Sequence, residues 1–227
     1  MNSVRCRRIL LMAVLSLTCT TALVHSASRG PGWGELPYEP PAAGTYQLPV
    51  IMPATDGTVV KGDRSMASLH DLMSDRFVFL SFIFTRCTDV NGCPLANAVL
   101  YKVQSRINQR PELAEEVALL TVSFDPEFDK PEIISGVAKS FHRGGVDWEF
   151  LTTDSQTDLQ PILDGYGQFA VKPHDEHGVH MDEYVHMLRV YLIDKKRDVR
   201  NIYSVSFLHP DILMNDLDTL LLESKSE

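Results

Sequence analysis

Residues 81–100 read SFIFTRCTDVNGCPLANAVL. The opening residues close an apolar run, Arg76 to Phe84 (RFVFLSFIF), whose continuous rather than alternating hydrophobicity suits a strand covered on both faces. From Pro94 to Gln109 the pattern changes to a helical one, with Leu95, Val99, Val103 and Ile107 on one stripe. Pro94 falls in the first turn, where its missing N–H costs nothing. Between strand and helix stand Cys87 and Cys93, five residues apart. Unpaired N–H groups and the helix dipole at such a junction favour a thiolate, the form that attacks disulfides and binds metals.

Downstream the elements alternate in type. Val117 to Phe124 (VALLTVSF) reads as a second buried strand and Asp129 to Phe141 as a helix with Pro131 in its first turn. A short strand, Trp148 to Thr152, and a helix, Asp158 to Phe169, follow. After a polar loop from Lys172 to Glu183, the pattern predicts a strand over Met187 to Ile193. Its hairpin partner, Asn201 to Leu208, lies across the turn DKKRD, and a last helix runs from Pro210 to about Glu223. Successive strand–helix units, an antiparallel pair and a closing helix predict an α/β fold of the thioredoxin type, a mixed central β-sheet flanked by helices.

Upstream, residues 28–49 carry Pro31, Pro37, Pro40, Pro41 and Pro49 among glycines and follow no helical or alternating period, so they read as an extended arm. The chain opens with a basic segment holding Arg5, Arg7 and Arg8, then sixteen apolar or small residues from Ile9 to Val24. Charge order and length predict a secretory signal peptide, with a retained membrane anchor as the alternative. The 227 residues, 44% of them apolar, suit one well-cored domain with extensions. The expected division is 1–26 signal peptide or anchor, 27–47 arm and 48–227 domain. Cleavage near residue 26 removes three arginines and no acid, taking the net charge from −9 to −12, which argues against nucleic-acid binding.

Cys6 and Cys19 fall in the presumed signal, leaving Cys87 and Cys93 alone in the mature chain. In an exported compartment such a pair forms a disulfide, is recycled by a reductant, or holds a soft metal, and the residues alone leave all three open. A structural staple gains little from so short a loop.

The segment FTRCTDVNGCPLA resembles the site of the Sco/SenC family, thioredoxin-fold proteins of copper-site assembly in cytochrome oxidases. That motif is a strand followed by Cys-x-x-x-Cys-Pro with an acid two residues after the first cysteine; Cys87, Asp89, Cys93 and Pro94 match it in type. VSFDPEFDKPE (Val122 to Glu132) and YVHMLRVYLID (Tyr184 to Asp194) are similar to two further family segments, in the same order. The resemblance covers about Leu48 to Leu222 and implies copper ligation by Cys87, Cys93 and His186. Two thiolates suit Cu(I), and an added imidazole completes a set that also holds Cu(II). The departure is the gap, five residues instead of three. Asn91-Gly92 can adopt positive φ, so the insertion is expected to form a tight bulge that returns Cys93 to the helix start.

His174, His177 and His180 suggest an accessory metal loop, against the plainer reading of a solvated polar loop. Asp89 and Asp125 need no role beyond a turn and a strand end. The resemblance implies an exported, periplasmic copper chaperone, free or membrane-tethered, serving a copper-dependent respiratory enzyme such as cytochrome c oxidase. The alternatives are a thiol-disulfide oxidoreductase using Cys87 and Cys93 on a copper or haem protein, and a redox sensor using the same pair.

Overall fold

The computed structural model describes residues 29–174, 177 and 184–226. Strands β1 (Met52–Pro53), β2 (Thr58–Lys61) and β3 (Met66–Ser68) precede a short helix, α1 (Leu69–Met73). Then come β4 (Phe77–Ile83), α2 (Cys93–Asn108), β5 (Val117–Ser123), α3 (Pro131–Phe141), β6 (Asp147–Thr152) and α4 (Gln156–Gly165). The chain ends with β7 (Ala170–Val171), β8 (Val185–His186), β9 (Val190–Ile193), β10 (Asp198–Tyr203) and α5 (Pro210–Ser224).

Every residue of β4 and β5 is buried, as their near-continuous apolar runs require of central strands. They pair in parallel, from Phe77 opposite Val117 to Ile83 opposite Ser123, and β6 continues the parallel side. The eight-stranded sheet runs β1-β10-β9-β4-β5-β6-β2-β3, with β9 antiparallel to β4. Side chains alternate between the faces. Phe77, Phe79, Val117, Leu119, Val190 and Leu192 pack in one core with α2 and α5. Val78, Leu80, Phe82, Ala118, Leu120 and Val122 pack in the other with α1 and α4. The architecture is the thioredoxin-like mixed sheet flanked by helices that the order of elements predicts.

Topology brings distant residues to one end. Ser81, near the exit of β4, lies opposite Val190, the first residue of β9. The segment just before β9 therefore arrives where the chain leaves β4 for α2, and a histidine 93 residues beyond Cys93 meets it there.

Three predicted elements differ from expectation. Strand β10 spans Asp198–Tyr203 rather than Asn201 to Leu208, because the chain turns at Ser204, whose carbonyl accepts the N–H groups of Phe207 and Leu208 at 2.9 Å. Helix α4 starts at Gln156, because Ser155 caps it by accepting the Asp158 N–H, and it stops at Gly165 rather than Phe169. Gly167 takes φ +57°, and the N–H groups of Gly167 and Gln168 close on the carbonyls of Asp164 and Leu163 at 3.0 and 2.8 Å, a Schellman termination. The strand expected over Met187–Ile193 is shortened: only Val190–Ile193 joins the main sheet, and β8, just ahead of the expected span, pairs with β7 in a separate two-stranded sheet. The chain is drawn off β4 by Gln168, whose amide donates to the Met187 carbonyl at 2.5 Å, and by Arg189, which donates to the Gly167 carbonyl at 2.5 Å.

The arm is docked onto the domain. Trp33 and Tyr46 join the core of α2 and α5, the Tyr46 hydroxyl donates to buried Asp216 at 2.5 Å, and the Asn215 amide donates to the Pro41 carbonyl at 2.8 Å. Among the described residues no helix is long and apolar enough to cross a membrane; the basic-then-apolar start lies outside them.

Candidate metal centre

The loop leaving β4 is fixed before it reaches the first cysteine. Asp129, fully buried, accepts the backbone N–H of Thr85 at 3.0 Å, the Thr85 hydroxyl and the Ser123 hydroxyl at 2.5 Å. A turn closed by the Cys87 N–H on the Phe84 carbonyl at 3.2 Å then presents Cys87, half-buried. The five-residue gap returns to the helix through Asp89: its side chain accepts the Asn91 N–H and its carbonyl the Gly92 N–H, both at 2.9 Å. This corrects the expected positive-φ bulge. Gly92 has φ −93°, and its smallness is used otherwise, since a Cβ there would sit 3.2 Å from the Cys87 sulfur. Cys93 is buried and is the first residue of α2.

His186 comes over the cysteines on β8. Its Nε2 lies 3.7 Å from the Cys93 sulfur, and its Nδ1 faces the Tyr184 carbonyl at 3.2 Å. With Nδ1–H donating to that carbonyl, Nε2 faces the thiols, donating to the Cys87 thiolate when protonated and offering its lone pair to an ion when not, the usual way a backbone acceptor orients a ligating imidazole. Phe84 and Phe124 pack on the ring, their centroids 5.6 and 5.2 Å away, and Tyr184 packs on both phenylalanines.

One sulfur each from Cys87 and Cys93 and one nitrogen from His186 lie within 4.8 Å of one another, the only such cluster of three or more His, Cys, Asp or Glu among the described residues. Three donors about 2.3 Å from a shared ion would stand roughly 4 Å apart, close to the spacing of these three. The thiols are free, without a disulfide. Hydrogen bonding from the Cys93 thiol, helped by His186 and by the N–H groups of Cys93 and Asp89, lowers the Cys87 pKa to about 4. Cys93 is pushed up by that same hydrogen bond and by burial. His186 is raised, first by its hydrogen bond to Cys87. One thiolate beside one retained proton is the state this geometry favours, with the charge on the more exposed sulfur.

Asp125, read from the sequence as a simple strand end, is a hub. It is fully buried and holds Arg86 at 3.1 Å, Lys172 at 3.1 Å and the Tyr184 hydroxyl at 3.2 Å. Arg86 precedes Cys87 and Tyr184 supplies the carbonyl behind His186, so one carboxylate ties both walls of the site. The sequence signal was an acid placed directly after seven consecutive buried strand residues and Phe124. Asp89 serves the turn. His174 and His177 are exposed and, among the described residues, join no such cluster; His180 lies outside the described residues.

Residues 64–222, which include all three donors, match SCO1/SenC. The chain belongs to that family. It is similar to a SCO1 protein homolog of Bacillus subtilis strain 168, 28% identical over 145 residues, 63% of this chain and 68% of the relative. Arabidopsis thaliana ScoI, solved with copper bound, matches at TM-score 0.60 and 19% identity over 77% of this chain and 99% of its own. BsSco, described as a member of the Sco family of cytochrome c oxidase assembly proteins with a disulfide switch, matches at TM-score 0.59 and 23% identity over 80% and 97%. At these identities the solved structures establish the thioredoxin-like fold of this Sco family chain.

Proposed function

We propose that this protein is an exported copper chaperone that holds the ion at Cys87, Cys93 and His186 and passes it to a copper-dependent respiratory enzyme, a cytochrome c oxidase subunit II-like recipient. The observation that carries the reading is the convergence of two thiol sulfurs and one imidazole nitrogen within 4.8 Å at the mouth of the sheet. Soft sulfur donors select Cu(I), and the imidazole extends the set to Cu(II). Family membership and the copper-bound Arabidopsis relative support the choice of cargo. A three-donor site leaves room for a recipient ligand to bind before a chaperone ligand departs, so transfer proceeds by ligand exchange without turnover chemistry. Half-exposed Cys87 is the donor placed to let go first. The basic-then-apolar start supports export, with the segment either cleaved or kept as a tether.

The second reading is a dithiol reductant, favoured by the Cys87 thiolate standing beside a protonated Cys93. Cys87 would attack a partner disulfide and Cys93 displace the reduced partner, the pair giving up two electrons and ending as a disulfide. Complementation separates the two. In cells lacking the native gene, chaperone action requires His186 as well as both cysteines, and added copper partly restores oxidase activity to His186→Ala. Full oxidase support from His186→Ala, with none from Cys87→Ser, would assign the reductant role instead.

A further inference from the structure

The five-residue gap between the cysteines is held from outside by the N-terminal arm. Gly30 donates its backbone N–H to Asn91 Oδ1 at 2.7 Å, and Trp33 Nε1 donates to the Val90 carbonyl at 3.0 Å. Val90 and Asn91 belong to the inserted loop, between Asp89 and the glycine that carries the chain into Cys93. The arm backbone lies flush on the helix that Cys93 begins. A Cβ on Gly30 would come within 2.7 Å of Leu95, and one on Gly32 would run into the Leu208 carbonyl and Val99. Gly30 and Gly32 are buried, and Lys102 of α2 donates to the Gly32 carbonyl at 2.9 Å. Three hydrogen bonds along one short segment, with a backbone approach at Gly32 that leaves no room for a Cβ, make a built interface rather than a linker passing by.

We propose that Gly30, Trp33 and Asn91 are positioning residues for the thiol site, clamping the 88–92 loop so that Cys87 stays beside Cys93 and His186 despite the long gap. The proposal rests on the metal-site reading but concerns the thiols whether or not copper is their cargo. Loop closure costs more as a loop lengthens, and that cost falls on whichever ligand the loop carries. Two hydrogen bonds to the loop from a docked segment hold it in the bound arrangement before the ion arrives, which is how outer partners of a metal site act. Because the arm leads back to the N-terminal segment, anything that pulls the arm away loosens the site.

The test uses the mature chain, from residue 27 on, reduced and carrying Trp33→Phe, Asn91→Ala, or both. Trp33→Phe removes the N–H and keeps an aromatic ring of smaller volume against the core; Asn91→Asp retains the acceptor for Gly30 and serves as rescue. Competition with a Cu(I) chelator should show the double variant weakened by about tenfold or more, the range for lost outer-shell partners, with Asn91→Asp near wild type. A metal-free readout runs in parallel: equilibration with glutathione disulfide, in which the two thiols give two protons and two electrons and two glutathiones are released. The double variant should form the Cys87–Cys93 disulfide less readily while still unfolding in one cooperative urea transition. If wild type binds no copper but the disulfide equilibrium shifts, the clamp stands and the metal reading falls. Wild-type behaviour of both single variants and the double variant in both assays would overturn the clamp, and so would an Asn91→Asp chain as impaired as Asn91→Ala.

Discussion

Replacing Asp125 by Ala should destabilise the domain by about 3 kcal/mol and loosen the thiol site with it. The carboxylate has no exposed surface and faces Arg86 and Lys172, each at 3.1 Å, with the Tyr184 hydroxyl at 3.2 Å. At an effective dielectric near 20, each cation contributes on the order of 4 kcal/mol of attraction, most of it offset by desolvation of the carboxylate. Truncation removes the attraction and leaves the cations facing a void, which for a buried pair costs about 3–5 kcal/mol. The lower end applies here, because the Arg86 and Lys172 side chains retain 30% and 17% exposure and Lys172 keeps Glu127 at 2.9 Å. For a domain of this size the loss corresponds to a fall in Tm of roughly 6–12 °C. Asp125→Asn, which keeps an acceptor for Tyr184, should lose about 2 kcal/mol. Urea unfolding followed by circular dichroism in reductant measures both, with the slope unchanged. A loss under about 0.5 kcal/mol for Asp125→Ala, the scale of a neutral surface change, would refute the hub.

His186→Ala removes one donor of three. Cu(II) binding should be largely lost, Cu(I) binding reduced less because two thiolates hold that ion linearly, and reactivity towards a small disulfide kept near normal; metal titration and exchange kinetics decide each point. Cys87, held to about 4 against an ordinary value near 9, should be alkylated by iodoacetamide at a rate that stays high from pH 8 down to pH 5 and falls as pH drops through about 4. The linked stability has the sign of a depressed acid: complete above the ordinary thiol range and lost as pH falls towards 4. Raised His186 has the opposite sign, its contribution complete below the ordinary imidazole value and lost as pH rises through the raised one. Unfolding of wild type against Cys87→Ser and His186→Ala across this range separates the two. N-terminal sequencing of the protein from cells should find a start near Ala27, or an intact start on membrane-bound protein; soluble cytoplasmic chain beginning at Met1 would contradict export.

The sequence makes the central layer legible because burial on both faces leaves a one-dimensional trace. Phe77–Ile83 and Val117–Ser123 are near-continuous apolar runs, and Leu95, Val99, Val103 and Ile107, all fully buried, recur at helical spacing behind Pro94. The thiols follow from that, since the strand-to-helix junction fixes where Cys87 and Cys93 stand. His186 is legible only through its motif, because its place depends on β9 pairing with β4 and on the bend at 187–189, neither of which local pattern encodes. The hub at Asp125 and the docked arm are hidden for the same reason. Their partners lie 39 to 174 residues away, and the arm's glycines look like linker until the atoms that crowd them are in place.

The central claim is a copper site made by two thiols and one imidazole, and its most direct test is a Cu(I) titration of the reduced mature chain against a competing chelator. The expected result is about one ion per chain at saturation, with loss of that binding in the Cys87→Ser, Cys93→Ser double variant. Wild-type protein that competes no better than the double variant would contradict the site and leave the dithiol reading in its place.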